Sequence, residues 1–441
     1  MSTFIVHGGK PLYGTYPVSG AKNAAPKLLI ASLLTRERCI FHNIPQFSDT
    51  HRSLEALTAL GTDVKWIKKN TIEIHCKNIV YNEIPLEAMS ARQAVLFIGA
   101  TLAREGHVKI YPPKGDAIGR RPLNRHLDGI RKLGGKIKTK GSVTEITMPI
   151  RPASCHYRFA KNTHCGTENL VLASIFNRGR VILENAAQEP EVDNLIEMLN
   201  RMGARIKRIT PRTIEITGVK PYLHGAEATS IPDRLEGVTA ITASILTGGA
   251  LHITHLPKIL VVPFTDFCTR IGVRLQWKGS VLCVLPFHTP LKPTTITTDW
   301  EPGFMTDWQP LATLILAAKS RGRSMIHERI FETRWRYLEE LKKMGVRYRK
   351  FQPAGFKPQD YNFNDEDYRD REPHAAYVWG PTALKAATLR SHDVRAGIDM
   401  LLAALAAKGT SVIHDPQNHI DRGYEDIVGK LTKLGADIRR I

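Results

Sequence analysis

Three kinds of run are missing from this 441-residue chain. No apolar stretch approaches the roughly 20 residues that a membrane helix needs, so insertion into a bilayer is not expected. No block of five or six like charges occurs, although lysine and arginine outnumber aspartate and glutamate 62 to 42. The amino-terminal residues Met1-Ser2-Thr3-Phe4-Ile5-Val6 show no basic region running into an apolar one, and no secretory leader is expected. Cysteine is sparse and scattered: Cys39, Cys76, Cys155, Cys165, Cys268 and Cys283 form no C-x-x-C pair. That pattern fits a reduced, cytoplasmic protein without disulfides or a structural metal. His156, His164, His414 and His419 lack zinc spacing. A P-loop, a G-x-G-x-x-G turn and a G-x-S-x-G elbow are all absent, which removes the usual nucleotide-binding fingerprints and serine hydrolase chemistry. No cofactor is expected.

What is present begins with charge. A net +20 spread along the whole chain implies a basic surface and an anion-binding cleft. Nucleic acid is not excluded by charge alone. One stretch concentrates the theme: Pro113-Lys114-Gly115-Asp116-Ala117-Ile118-Gly119-Arg120-Arg121-Pro122. A single carboxylate sits there among three cations, with a strand pattern before it (His107–Tyr111) and helical spacing after it (Leu127, Ile130, Leu133). An ordinary solvated loop is the competing reading.

A repeat organises the rest. Amphipathic helices end at Leu60-Gly61, Leu133-Gly134, Met202-Gly203, Ile271-Gly272, Met344-Gly345 and Leu434-Gly435, the glycines 73, 69, 69, 73 and 90 residues apart. A second series, Gly106, Gly179, Gly249, Gly322 and Gly409, keeps intervals of 73, 70, 73 and 87. The pattern predicts six units of about 70 residues, each with two helices that lead into strands, and glycines closing helices in the left-handed conformation. Six units exceed one core, so two domains of three units follow. The expected boundaries are 21–231 for the first domain and 1–20 plus 232–441 for the second, with residues 1–20 forming a strand pair. The long last interval reads as an insertion over about 351–387 in the sixth unit. A cleft between the domains is the expected ligand site.

Lys22, Arg92, Arg234 and Arg395 fall at helix starts, where acids are usual. Cations there would join helix N–H groups in holding phosphate, or each is simply paired with a nearby carboxylate.

At these loops the sequence resembles the UDP-N-acetylglucosamine 1-carboxyvinyltransferase family. The likeness is carried by Ser19-Gly20-Ala21-Lys22-Asn23-Ala24-Ala25, Gly166-Thr167-Glu168-Asn169, Glu184-Asn185-Ala186-Ala187, Pro232-Asp233-Arg234 and His419-Ile420-Asp421-Arg422-Gly423-Tyr424-Glu425. It implies an α/β (α+β) fold, a two-domain inside-out barrel of six βαβαββ repeats. It also implies transfer of the enolpyruvyl group of phosphoenolpyruvate to the sugar 3-hydroxyl of UDP-N-acetylglucosamine, with release of phosphate, the first committed step of peptidoglycan synthesis. Both substrates are anionic small molecules. Neither membrane insertion nor obligate nucleic acid is implied, and a monomer is expected.

Residue roles carry over by position. Lys22, Arg121 and Arg422 match the cations that hold phosphoenolpyruvate, with Arg334 and Arg395 nearby. Asn23, Arg92 and Ile330 match cleft positions. Asp307 matches the carboxylate at the sugar hydroxyl and is the favoured base. Pro122, Leu123 and Asn124 match the stretch beside the uracil. Cys165, Gly166 and Thr167 match the diphosphate segment, and Asp393 an acid near the reacting groups. Three positions depart from the family: Asp116 stands where most members have cysteine, Asn124 where an acid is common, and Thr333 where asparagine is common. A thiol is largely protonated at neutral pH and a free carboxyl is not, so Asp116 is expected to become the acid mainly once ligand is bound. Fosfomycin, which alkylates the family cysteine, is expected to leave this chain unmodified. Two other readings stay open here: the sister enzyme acting on shikimate 3-phosphate, and a non-catalytic anion- or RNA-binding relative on the same scaffold.

Overall fold

The computed structural model describes residues 2–116, 118–369 and 372–441. Ala117 of the basic loop, and Asp370 and Arg371 of the expected insertion, lie outside them. Two compact units partition the chain: Met1–Ser19, Asp116–Arg121 and Pro232–Ile441 in one, Gly20–Gly115 and Pro122–Ile231 in the other.

The repeat becomes six small sheets among the described residues. Five have four strands and follow one plan. In the sheet built on Arg180–Glu184, Cys155–Arg158 runs parallel on one side, and the hairpin Arg205–Thr210/Thr213–Thr217 runs antiparallel on the other. The sixth has three strands, and a single parallel bridge, Glu83 to Lys109, stands in the fourth place. Apolar residues alternate along each central strand (Val181 and Leu183 buried, Ile182 half-buried), the period that lets one face pack on helices.

Helices come in two kinds. The second helix of a unit is amphipathic, as in Pro190–Arg201, where Val192, Leu195, Ile196 and Leu199 face inward and Arg201 is exposed. The first helix is apolar or small all round. Arg234–Thr247, Gln309–Lys319 and Val394–Ala406 are buried over almost their whole length and pack against one another at the middle of their unit. Ala25–Ala31, Phe97–Glu105 and His164–Ala173 occupy the corresponding interior of the other unit. Sheets outside and helices inside make this an inside-out α/β barrel. Close helix approach needs small residues: a Cβ on Gly99 would lie 2.2 Å from the Asn169 carbonyl oxygen, and the Gly99 amide donates to Asn169 Oδ1 at 2.6 Å.

All six glycines of the first series have positive φ, between 91° and 101°, so each ends its helix in the conformation that a side chain would strain. In the second series only Gly106 ends its helix this way; Gly322 and Gly409 have positive φ but open the strands that follow helices closed at Ser320 and Ala407, and at Gly249 the left-handed helix end is the preceding Gly248.

Two expectations are corrected. Residues 1–20 do form two strands, but not a pair. Ser2–Gly8 lies antiparallel between Gly409–Asp415 and Asp437–Arg440, while Gly14–Pro17 runs parallel to Leu251–Thr254 in another sheet. Phe4 and Val6 alternate inward and fix Ser2–Gly8 as an interior strand. The insertion is also narrower and earlier than 351–387. Ala375–Gly380 is the regular strand between Gly322–His327 and Arg347–Phe351, so the extra chain is a long connection at 352–374 in the fifth unit. Its proline and glycine content masked the alternating Ala375-Ala376-Tyr377-Val378-Trp379 that follows.

One buried cation ties loops of the unit Gly20–Gly115 and Pro122–Ile231 together. Arg104, 3% exposed, donates to the carbonyls of Leu33, Thr35, Cys76 and Lys77 at 2.6–2.8 Å. Arg104→Met leaves those carbonyls without their donors and is expected to cost about 3 kcal/mol of stability, read from urea denaturation.

Candidate active site

The expected site residues fall into two constellations, one in each unit. In the first unit the centre is Asp307, in the short turn Thr306–Trp308 before a buried helix. Arg334 Nη1 lies 2.8 Å from its Oδ1 and Arg395 Nε 3.2 Å from its Oδ2. Burial acts to raise the Asp307 carboxyl, but the two guanidiniums outweigh it and hold the group well below the usual carboxylate range. Asp307 is therefore an anion clamped by two cations.

Each clamp is itself held. Arg334 Nη1 also donates to Thr306 Oγ1 at 3.0 Å. Glu328 accepts from Thr306 and Thr298 hydroxyls and from the Ile330 and Phe331 amides, which sets the turn that carries Ile330 and Arg334. Arg395 donates to the Tyr424 hydroxyl at 3.0 Å. Asp393 caps the helix Val394–Ala406, accepting from the Arg395 and Ala396 amides at 2.9 and 3.0 Å. Such a cap fixes where Arg395 leaves the helix.

Asp116 belongs to the same unit. Its Oδ1 lies 3.0 Å from Arg422 Nη1, and its carbonyl accepts from Arg121 Nη2 at 2.8 Å. The Arg422 motif shows why sequence likeness alone does not assign roles. His419 binds Asp415, Asp421 binds Arg440, Tyr424 braces Arg395, and Glu425 accepts from the Ser19 hydroxyl at 2.9 Å. Arg422 carries the charge that reaches Asp116.

The second unit holds the remainder. Lys22 precedes the helix Ala25–Ala31 and pairs with Asp49 at 2.7 Å, both groups buried. Asn23 Oδ1 accepts from Gln93 at 3.3 Å. Arg92 opens the turn Arg92–Leu96. Near it His126 is kept neutral: burial lowers its pKa most, Arg92 and Arg125 add to that, and the group falls to about 3. Pro122 and Leu123 lead into the helix Asn124–Lys132, where Asn124 Oδ1 accepts from the Arg125 amide. Cys165, Gly166 and Thr167 form the first turn of His164–Ala173, capped by Thr163. The Thr167 hydroxyl is committed to that scaffold: it donates to the Thr163 carbonyl at 2.8 Å and accepts from the Ala187 amide at 3.0 Å. Arg234, of the basic helix-start series, is buried and paired with Glu301 at 2.6 Å, which makes it part of the frame.

Sequence reasoning gave no role to Asp49, Glu328 or Tyr424. Tyr424 lay inside a quoted motif, but the contacts that tie Asp49 to Lys22 and Glu328 to Thr298 and Thr306 span 22 to 30 residues and leave no local signal. Among the described residues no group of three or more His, Cys, Asp or Glu is placed to hold a metal ion, and no helix is long and apolar enough to cross a membrane.

Six inside-out repeats, with clamped carboxylates at the helix starts, define the enolpyruvyl transferase class. Residues 6–431 match the family described as EPSP synthase (3-phosphoshikimate 1-carboxyvinyltransferase), and the chain belongs to that family. A protein of Koribacter versatilis (strain Ellin345) named UDP-N-acetylglucosamine 1-carboxyvinyltransferase is 37% identical over 445 residues, covering 100% of this chain and 97% of the relative. A protein of that name from Chlamydia abortus (strain DSM 27085 / S26/3) is 36% identical over 446 residues, covering 99% and 98%. Among solved structures, the enolpyruvyl transferase NikO from Streptomyces tendae has the same fold, with a TM-score of 0.85 at 24% identity over 100% of this chain and 98% of that one. EPSP synthase from Acinetobacter baumannii gives 0.71 at 15% identity, covering both chains fully.

Proposed function

We propose that this chain transfers the enolpyruvyl group of phosphoenolpyruvate to the 3-hydroxyl of UDP-N-acetylglucosamine and releases phosphate, as a cytoplasmic enzyme of peptidoglycan synthesis. The observation that carries the reading is identity of 33% to 37% along essentially the whole chain to relatives named for that activity. The sister reaction on shikimate 3-phosphate has the family description on its side, but the solved enzyme of that name is like this chain in fold alone, at 15% identity.

The chemistry assigns parts to the residues. The 3-hydroxyl oxygen bonds to C2 of phosphoenolpyruvate and its proton passes to Asp307. The methylene carbon takes a proton from Asp116, giving a tetrahedral adduct. The C2–O bond to phosphate then breaks while the methyl group returns a proton, which restores the vinyl double bond. Arg121 and Arg422, with Arg334 and Arg395, neutralise the phosphate and carboxylate, and Lys22 adds a further cation to the donor's site. Asp393 fixes Arg395. Asn23, Arg92, Ile330, Pro122, Leu123, Asn124 and the Cys165-Gly166-Thr167 turn line the sugar-nucleotide site. A donor anion that draws Arg334 or Arg395 away from Asp307 lets its carboxylate recover basicity as substrate arrives.

Phosphate release from phosphoenolpyruvate, with UDP-N-acetylglucosamine and shikimate 3-phosphate tested side by side, checks the reading. Release with the sugar nucleotide is expected; release with shikimate 3-phosphate alone overturns it. A second expectation concerns the acid. We infer that Asp116 does the work of the family cysteine, so the chain carries no loop thiol for fosfomycin to open its epoxide on. Intact mass after incubation should show no adduct, and an adduct mapped to the loop would contradict the assignment.

A further inference from the structure

The described residues of the extra segment, 352–369 and 372–374, are anchored rather than loose. Tyr361 is fully buried, and its ring lies 5.1 Å from Phe363, 4.7 Å from His374 and 5.7 Å from His327. Backbone bonds fix it further: Arg329 Nε donates to the Asp360 carbonyl, and the Asn362 amide to the Arg329 carbonyl, both at 2.8 Å. Asp367 is 7% exposed on this shelf, and its Oδ1 lies 3.1 Å from Arg120 Nη1. The same loop is seated at neighbouring points. Ile118 is buried, and its carbonyl accepts from the Thr333 amide. Gly119, at φ +154°, presses on Glu332: a Cβ there would lie 1.9 Å from Glu332 Oε2. Burial, with Asp367 and Glu372 nearby, raises the Glu332 carboxyl to about 7, so a proton there removes a like charge beside Asp367.

We propose that the described part of this segment, around Asp360–Asp367, braces the loop at Asp116 and Ile118–Arg120, and that Asp367, acting through Arg120, is a positioning residue that keeps Asp116 set against Arg422. An exposed arginine in an ion pair usually contributes little. Here its partner is a buried carboxylate that also faces Glu332, so the cation of Arg120 compensates it. The loop is then fixed at Asp116, Ile118, Gly119 and Arg120, and losing one tie loosens the register of the others.

The turnover part of the test rests on the transferase reading; the exchange part does not. Hydrogen exchange is followed in peptides covering 112–122 for the full chain and for Asp367→Asn, Arg120→Gln and Asp367→Glu. Loop exchange is expected to rise about fivefold in the first two variants and to return towards the parent rate in the third. Turnover at saturating substrate should fall by a similar factor while the KM for UDP-N-acetylglucosamine holds. Unchanged loop exchange in Arg120→Gln, whose altered side chain is exposed and should not impair folding, would overturn the brace. If the parent chain releases no phosphate, the transferase reading fails and the exchange result still decides the brace.

Discussion

Asp307→Asn is expected to lower turnover by about a thousandfold, within the range set by loss of a general base. The change keeps the size of the side chain and removes its charge and basicity. Arg334 and Arg395 then lose the carboxylate they share, so each is freer to meet an anion. Binding of phosphoenolpyruvate should therefore be retained or tightened while chemistry fails. Calorimetric titration with phosphoenolpyruvate, alongside single-turnover kinetics, separates the two effects. Turnover within tenfold of the parent would remove Asp307 from the role of base. Lost binding together with lost turnover would point instead to collapse of the arginine pair.

The second large effect is at Asp116. Asp116→Asn cannot donate the proton to the methylene carbon, and a loss of about a hundredfold in turnover is expected. Arg422 and Arg121 remain in place to bind phosphate, so KM for phosphoenolpyruvate should move far less than kcat. Asp116→Cys is the informative partner. It supplies a thiol in the same loop position, and two results are expected together: recovery of much of the lost activity, and a fosfomycin adduct on the new cysteine. Full turnover in Asp116→Asn would show that the proton comes from elsewhere.

The architecture was legible because it is repeated. Six helix-closing glycines needed the same left-handed backbone, and only glycine supplies it without strain, so the spacing survived in the sequence. The interior helices were readable as apolar segments, and the outer ones by their amphipathic stripe. The pairing of Ser2–Gly8 was not, because its partners, Gly409–Asp415 and Asp437–Arg440, lie more than 400 residues away and a short alternating strand does not specify its neighbours. The strand Ala375–Gly380 was hidden for another reason: Pro353, Pro358 and Pro373 give the chain before it a loop composition that runs up to the alternation itself.

At the candidate site, the charged residues were visible and their engagement was not. Asp307, Arg334 and Arg395 stood out as unusual residues in loops, yet nothing local shows that two arginines share one carboxylate. Arg234 looked the same in sequence as Arg395, both at helix starts after an aspartate cap. The structure separates them, since Glu301 takes Arg234 and Asp307 takes Arg395. Asp367 had no signal at all: an acid in an acidic, aromatic stretch reads as solvated until Arg120 is seen beside it.

The most direct test is transfer of a carbon label. Phosphoenolpyruvate labelled in its carboxyl carbon is incubated with the chain and UDP-N-acetylglucosamine, and the nucleotide products are separated. The account predicts label in a UDP-sugar ether, formed in step with released phosphate and absent with Asp307→Asn on the same time scale. Phosphate released without label in the nucleotide would mean hydrolysis rather than transfer, and would contradict the account.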